Sequence, residues 1–129
     1  MVVWKDEFSI GVDLIDEEHK HLFVIANEIY DLLNNDLIID KYDQILYIIN
    51  NLKDYTIKHF ADEEAYMLNC GYRKFLSHKA LHIDFIEKIN AVDLEKIDNG
   101  QNQYLVEIMN FVCNWLIEHI LTEDKMITA

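Results

Sequence analysis

Apolar residues recur at steps of three and four along most of this chain, which is the spacing that places them on one face of an α-helix. The pattern predicts an irregular N-terminal arm over residues 1–15 and four amphipathic helices over residues 16–35, 41–70, 75–90 and 101–122. Short loops join the predicted helices. We therefore expect an all-α fold, an antiparallel up-down-up-down four-helix bundle, formed by residues 1–129 as a single domain.

Each predicted helix has an inward row of apolar side chains, uninterrupted by proline. The rows contain Leu22, Ala26, Ile29 and Leu33, then Ile45, Ile49, Leu52 and Thr56, then Phe75, Phe85 and Ile89, and finally Leu105, Ile108, Val112 and Trp115. We expect Asp16 to cap the first helix and Gly71 to end the second, whose inward row continues through Tyr66 and Cys70. Residues 93–100 are expected to form a polar connection.

The composition narrows the classes of function. The formal net charge is −13, which disfavours binding to nucleic acid or to an anionic membrane, because like charges repel over much of the surface. No run approaches the ~20 apolar residues of a membrane span, and the N-terminus lacks the order of a secretion signal. We expect a monomer in the cytoplasm, with Cys70 and Cys113 as free buried thiols.

Histidine occurs in the inward row of every predicted helix. Each row, continued at the same spacing through the polar residues that it skips, adds His19 in the first helix, His59 and Glu63 in the second, His78 and His82 in the third, and His119 in the fourth. In an up-down bundle these positions lie at the same end. They can therefore converge on one site.

The second histidine of the first helix faces the other way. His21 is two residues from His19, which turns it roughly 200° around a regular helix. It forms a Glu-x-x-His pair with Glu18. We expect this pair to lie on the solvated surface.

The polar groups of such a buried cluster need hydrogen-bond partners or a bound ion. An uncompensated buried carboxylate costs several kcal/mol and each unpaired polar group ~1–3 kcal/mol, against a net stability of ~5–15 kcal/mol for a domain. A metal satisfies all of the groups together, whereas a single core histidine usually bonds to a carbonyl or to water. Imidazole and carboxylate suit iron, zinc, manganese or copper, and five histidines are too many for one tetrahedral zinc, which indicates two metals.

Four motifs connect this pattern to a known family. They are Trp4, Phe8, Gly11, Ile15, Asp16 and His19; His59, Phe60, Glu63, Glu64, Met67, Gly71 and Tyr72; His78, His82 and Phe85; and Trp115, His119, Ile120 and Asp124. Over almost the whole chain the sequence resembles the hemerythrins, in the single-domain bacterial form called bacteriohemerythrin. The resemblance implies a non-haem di-iron centre as the cofactor.

The same resemblance implies a role for each ligand. Three histidines bind one iron, two bind the other, and two carboxylates bridge both irons together with an oxo or hydroxo group. The ligands are, in that order, His78, His82 and His119; His19 and His59; and Glu63 and Asp124. One coordination position then stays open, on the iron with two histidines.

The last of these ligands raises a geometric question. Asp124 follows His119 by five residues, which places it roughly 140° off the histidine's face in a regular helix. We predict a loosened last turn there, or an approach of Asp124 from the side of the metal pair.

For function, the resemblance implies reversible binding of dioxygen, for storage, delivery or sensing, rather than enzymatic turnover. It also implies an apolar pocket for O2 formed by Leu22, Phe60, Trp115, Ile120 and Leu121. The main alternative is a di-iron oxidase or peroxidase that reduces O2 or peroxide with electrons from a partner protein. A metal-free or zinc-stabilised interaction bundle is the third reading.

Overall fold

The computed structural model describes residues 2–91 and 94–129, and within these ranges all regular structure is helical. The elements are a 3-10 turn at Asp6–Phe8, α1 at Asp13–Leu33, α2 at Tyr42–Cys70, α3 at Phe75–Asn90, α4 at Leu94–Asn99, α5 at Gln101–His119, a π turn at Ile120–Asp124 and α6 at Lys125–Ile127. The prediction of an all-α four-helix bundle is confirmed, with α1, α2, α3 and α5 as the long helices.

Side-chain contacts between the long helices fix their directions. His59, late in α2, contacts Glu18, early in α1. His78, early in α3, contacts Glu63, late in α2, and it also contacts His119 at the end of α5. Neighbouring helices therefore run antiparallel, and the bundle has the up-down-up-down order.

The core is aliphatic and aromatic along most of its length. Its fully buried side chains include Leu22, Ile25, Ile29, Ile45, Leu52, Phe85, Ile89, Ile97, Leu105 and Val112. In the arm, Phe8 packs edge-on against Phe23 of α1, with ring centroids 5.3 Å apart. Burial of these side chains positions the helices on which the polar cluster depends.

The start of α1 differs from the sequence prediction. Helix α1 begins at Asp13 with Val12 before it, so Asp16 is not its N-cap. Asp16 is instead buried in the first turn, where it accepts hydrogen bonds from the Ser9 hydroxyl and the Ile10 N–H. The carboxylate thus ties the N-terminal arm to α1.

The end of α2 also differs in which face is buried. Met67, four residues after Glu63, is fully buried, whereas Tyr66 is half-buried and Cys70 is exposed. The predicted continuation through Tyr66 and Cys70 was wrong because the strict four-residue row from Glu63 runs to Met67. Cys70 is therefore an exposed thiol.

The C-terminus of α2 is the one predicted. Gly71 follows α2 with φ of +68°, the left-handed conformation that glycine adopts without a Cβ clash, and its N–H donates to the Leu68 carbonyl. Cys113 was also predicted to be a buried thiol, and it is half-buried on α5.

The connection before α5 contains more helix than expected. Residues 94–99 of the predicted polar connection form the short helix α4, with Ile97 fully buried. Asp93, the first residue of that predicted connection, and Met1, the first of the arm, lie outside the described residues. The six-residue helix closes the end of the bundle opposite the polar cluster.

One stretch of the described chain, Gln101–Ile127, is long and apolar enough to cross a membrane by length and composition alone. This differs from the expectation that no run approaches such a length. Its Leu105, Val112 and Leu116 are nevertheless buried in the bundle, and it carries His119 into the polar cluster. The stretch therefore packs one face against the other helices of the bundle.

Candidate metal centre

The predicted site residues come together at one end of the bundle, where all seven are buried. They form two groups that share one carboxylate: Glu63, His78, His82, His119 and Asp124 in the first, and His19, His59 and Glu63 in the second. Within each group the candidate ligand atoms lie within 4.8 Å of one another. The structure therefore brings together every residue predicted as a ligand.

The first group is built around three imidazoles whose Nε2 atoms face each other. His119 Nε2 lies 3.1 Å from His78 Nε2 and 3.2 Å from His82 Nε2. Two nitrogens bound side by side to one ion at about 2.1 Å are about 3 Å apart. The three nitrogens thus have the spacing of ligands on a shared metal.

Each carboxylate directs one oxygen to each group. Glu63 Oε1 lies 2.8 Å from His78 Nε2, while its Oε2 lies 3.3 Å from His59 Nε2. Asp124 Oδ1 lies 3.0 Å from His78 Nε2, and its Oδ2 lies 3.0 Å from His19 Nε2. Both carboxylates therefore lie between the two imidazole groups, as bridging ligands do.

A π turn places Asp124 in the cluster. The chain widens from α-helix to π-helix over Ile120–Asp124, immediately after His119. Because a π-helix repeats every five residues in its hydrogen bonding, a residue five positions after His119 returns to the same side. The predicted loosened last turn is confirmed.

Two carboxylates that are not among the seven predicted ligands contact the Nδ1 atoms of two of the histidines. Glu18 Oε1 lies 3.0 Å from His59 Nδ1, and Glu64 Oε2 lies 2.9 Å from His82 Nδ1. An Nδ1–H that donates to the carboxylate turns the Nε2 atom of the same ring toward the position that a metal would take. Lys58 Nζ in turn donates to the second oxygen of Glu18 at 2.8 Å.

Glu18 was therefore assigned wrongly to the surface, while His21 does lie there. Glu18 is 3% exposed, because Lys58 and His59 of α2 cover it. His21 is exposed and lies beside the Tyr55 ring, with centroids 4.2 Å apart. Glu18 precedes Leu22 by one turn, so the row of buried residues did contain a signal for it.

Several buried polar atoms of the cluster form no hydrogen bond within the described structure. They are both ring nitrogens of His19, Nδ1 of His78, Oε2 of Glu63 and both carboxylate oxygens of Asp124. Such atoms are costly in a core unless something else satisfies them. Oxygen and imidazole nitrogen in this arrangement fit a pair of iron ions.

The protonation equilibria show how the groups balance one another. Burial opposes protonation of His59, but the adjacent carboxylates of Glu18 and Glu63 outweigh it and raise the pKa to about 9. Burial likewise opposes protonation of His78, and Asp124 and Glu63 raise its pKa to about 9. Burial and the nearby Glu63 charge would raise the pKa of Asp124, yet the adjacent imidazoles of His119, His19 and His78 lower it to about 2. The carboxylates are therefore anionic, and they attract either protons or cations.

An apolar wall adjoins the cluster on the side of the bundle interior. Leu22, Phe60 and Ile120 are buried, and the half-buried Trp115 stacks on His119 with ring centroids 4.3 Å apart. Leu121 lies at the surface, 36% exposed. Four of the five predicted pocket residues are thus at least half-buried at this end of the core.

Comparisons with known proteins agree with this geometry. The family model of the hemerythrin HHE cation binding domain matches residues 10–129. The bacteriohemerythrin of Clostridium acetobutylicum is 47% identical over 97% of both chains, and myohemerythrin-1 of Phascolopsis gouldii is 31% identical over 95% of this chain and 87% of its own. A crystal structure of wild-type hemerythrin, 28% identical, superposes with a TM-score of 0.79 over 100% of this chain and 99% of its own. The chain belongs to the hemerythrin family.

Proposed function

We propose that this protein binds dioxygen reversibly at a di-iron centre, for storage, delivery or sensing. The observation that supports the proposal best is the division of each carboxylate between two imidazole groups. The proposed ligands are His78, His82 and His119 for one ion, His19 and His59 for the other, and Glu63 and Asp124 as bridges. Membership of the hemerythrin family supports the same function.

When bound, the iron pair supplies two electrons to dioxygen and recovers them on release. The protein's own residues hold that chemistry in place. Glu63 and Asp124 would hold both ions, because each carboxylate offers one oxygen to each group of imidazoles. Glu18 and Glu64 orient the His59 and His82 rings through their contacts with the Nδ1 atoms.

The apolar wall favours reversible binding over turnover. Leu22, Phe60, Trp115 and Ile120 exclude water from the interior side of the cluster, and none of the four exchanges a proton near neutral pH. Water and anions would otherwise displace the ligand and leave ferric iron. The wall thus supplies no general acid or base for a further reaction.

The enzymatic alternative needs an electron-donor protein that the carrier does not. No contact in the described residues identifies a docking site for such a donor, so this partner stays a prediction of the sequence. The cytoplasmic location and the monomeric state stay predictions as well. Redox turnover would also consume a reductant, which gives the two functions different experimental outcomes.

The direct test is an oxygenation cycle on the iron-loaded protein. The protein is reduced without air, exposed to O2, and then deoxygenated while its visible absorption spectrum is followed. We expect an absorption band that appears with O2, disappears when O2 is removed, and leaves ferrous protein. Immediate conversion to a stable diferric spectrum with consumption of added reductant would favour the oxidase or peroxidase.

A further inference from the structure

An apolar groove of about 320 Å³ lies between α2 and α3, on the outer side of the bundle. Its walls are the aliphatic side chains Ile57 and Ala61 of α2 and Ile83 and Ile86 of α3. Ile57 is 46% exposed and Ile83 is 50% exposed, so the groove opens to solvent. Its walls are therefore accessible to a small apolar molecule.

The floor of this groove reaches the metal cluster. Phe60 and His82 both line the groove, and their rings are stacked 3.8 Å apart. Phe60 is buried, and its other neighbours are His59, at 5.7 Å between ring centroids, and Trp115, at 5.8 Å. The Phe60 ring thus belongs both to the floor of the solvent-accessible groove and to the apolar wall of the proposed dioxygen pocket.

We propose that this groove is a binding site for dioxygen on its way to the iron pair, with the Phe60 ring as the movable partition. The proposal rests on the proposed function. Dioxygen is small and apolar, so it gains from apolar surroundings where ions and water lose their hydration. The stacked Phe60 and His82 rings form the floor of the groove, so in this proposal it is rotation of the Phe60 side chain that connects the groove with the interior.

The charges beside the groove favour a neutral occupant. Glu64 and Glu87 lie at its edge, and Lys79 Nζ is 3.9 Å from Glu64 Oε1. The whole chain carries a net charge of −13, so an anion or a second copy of the chain would meet repulsion on approach. Dioxygen carries no charge, so the negative charge of the protein does not repel it.

The kinetic test fills the groove from a position that is not itself a proposed ligand. Ala61→Trp adds an indole ring to one wall, and Ala80→Trp on α3 is the matched control, because Ala80 is exposed and lies outside the groove lining. In iron-loaded protein, O2 association and dissociation are measured by stopped flow. A residue on an entry path changes both rates by the same factor, so Ala61→Trp is expected to slow both several-fold with an unchanged Kd.

A second measurement does not depend on oxygen chemistry. Xenon is as apolar as dioxygen and gains from the same apolar surroundings, so xenon under pressure is expected to shift the methyl NMR signals of Ile57, Ile83 and Ile86 in the unmodified protein. The shifts should disappear in Ala61→Trp and persist in Ala80→Trp. Ile83→Trp, from the opposite wall, should reproduce the Ala61→Trp result, and circular dichroism checks that each variant is folded.

Unchanged O2 rates in both groove variants would overturn the proposal, as would a change in dissociation alone, which marks an effect on the bound state. Concentration-dependent self-association that Ala61→Trp abolishes would identify the groove as a contact between copies, also against the proposal. If the iron-loaded protein shows no O2 binding, the proposed function fails. The xenon shifts then still decide whether the groove takes a small apolar gas.

Discussion

The two ends of the bundle are built on different principles. At one end, five histidines and two carboxylates are buried together, and several of their polar atoms have no hydrogen bond within the described structure. At the other end, the core consists of apolar side chains such as Ile29, Ile45, Ile97 and Leu105. There the buried Lys41 donates to the Leu33 carbonyl and to Asn102.

This difference separates folding from function. Burial of aliphatic side chains stabilises the far end without any ligand. The buried ammonium group of Lys41 has hydrogen-bond acceptors there in Leu33 and Asn102. The buried carboxylates at the cluster end need positive charge beside them, either protons on the imidazoles or metal ions between the two sets of groups. We infer that the far end holds the helices in register while the cluster end binds the metals.

The largest effect is expected from removing a ligand. His59→Ala deletes one of the two histidines proposed for the second ion, so the bound iron should fall below that of the unmodified protein. Iron per chain, measured by plasma emission spectrometry after gel filtration, checks this. His21→Ala is the control, because His21 is exposed on the same helix as His19 and should leave the iron content unchanged. Equal losses in the two variants would refute the inward and outward assignment.

A cavity at the far end of the bundle should lower the stability of the protein and leave its iron content unchanged. Ile45→Ala removes a fully buried side chain and should lower the free energy of unfolding by about 2–5 kcal/mol, as measured by urea denaturation. Iron per chain should not change, since Ile45 is far from the cluster along α2. A parallel loss of iron in folded protein would show that the two ends are not independent.

A smaller effect on iron binding is expected from Glu18, which contacts the ligand His59 but is not itself a proposed ligand. Glu18→Gln keeps the shape of the side chain but removes the negative charge that holds His59 and Lys58, so iron affinity should fall by roughly 10–100-fold. Competition with a chelator measures it. Glu17→Gln, on the exposed neighbouring residue paired with Lys20, should match the unmodified protein. The reduction potential of the iron pair should also shift in Glu18→Gln alone.

The smallest effect concerns pH, and its sign differs with metal content. In metal-free protein the pKa values of His59 and His78 rise from 6.5 to about 9, so their contribution to stability is complete below pH 6.5 and is lost as the pH rises through about 9. Urea denaturation of the metal-free protein should therefore become easier over that interval. Iron-loaded protein should show the reverse between acid and neutral pH, because metals bind deprotonated imidazole. Parallel pH profiles for the two forms would contradict this assignment.

Most of the site was predictable because it follows the inward rows of the helices. The rows that bury Leu22 and Leu52 also bury His19 and His59, since residues three or four apart share a helix face. Even the π turn was foreseeable, because Asp124 could not share a face with His119 in a regular helix. The assignment of these residues as iron ligands stays a prediction.

The misassigned positions depend on contacts between distant segments. Glu18 is buried only because Lys58 and His59 of another helix hold it, and Asp16 is buried because the arm folds back onto it. Local propensity favours exposure for both carboxylates. Such pairings are set by tertiary packing, which a single sequence does not record.

The most direct measurement is anomalous diffraction at the iron edge on crystals of the iron-loaded protein. The account predicts two iron peaks in the buried cluster, one beside His78, His82 and His119 and the other beside His19 and His59, with Glu63 and Asp124 between them. A single peak, a metal other than iron, or iron outside this cluster would contradict it.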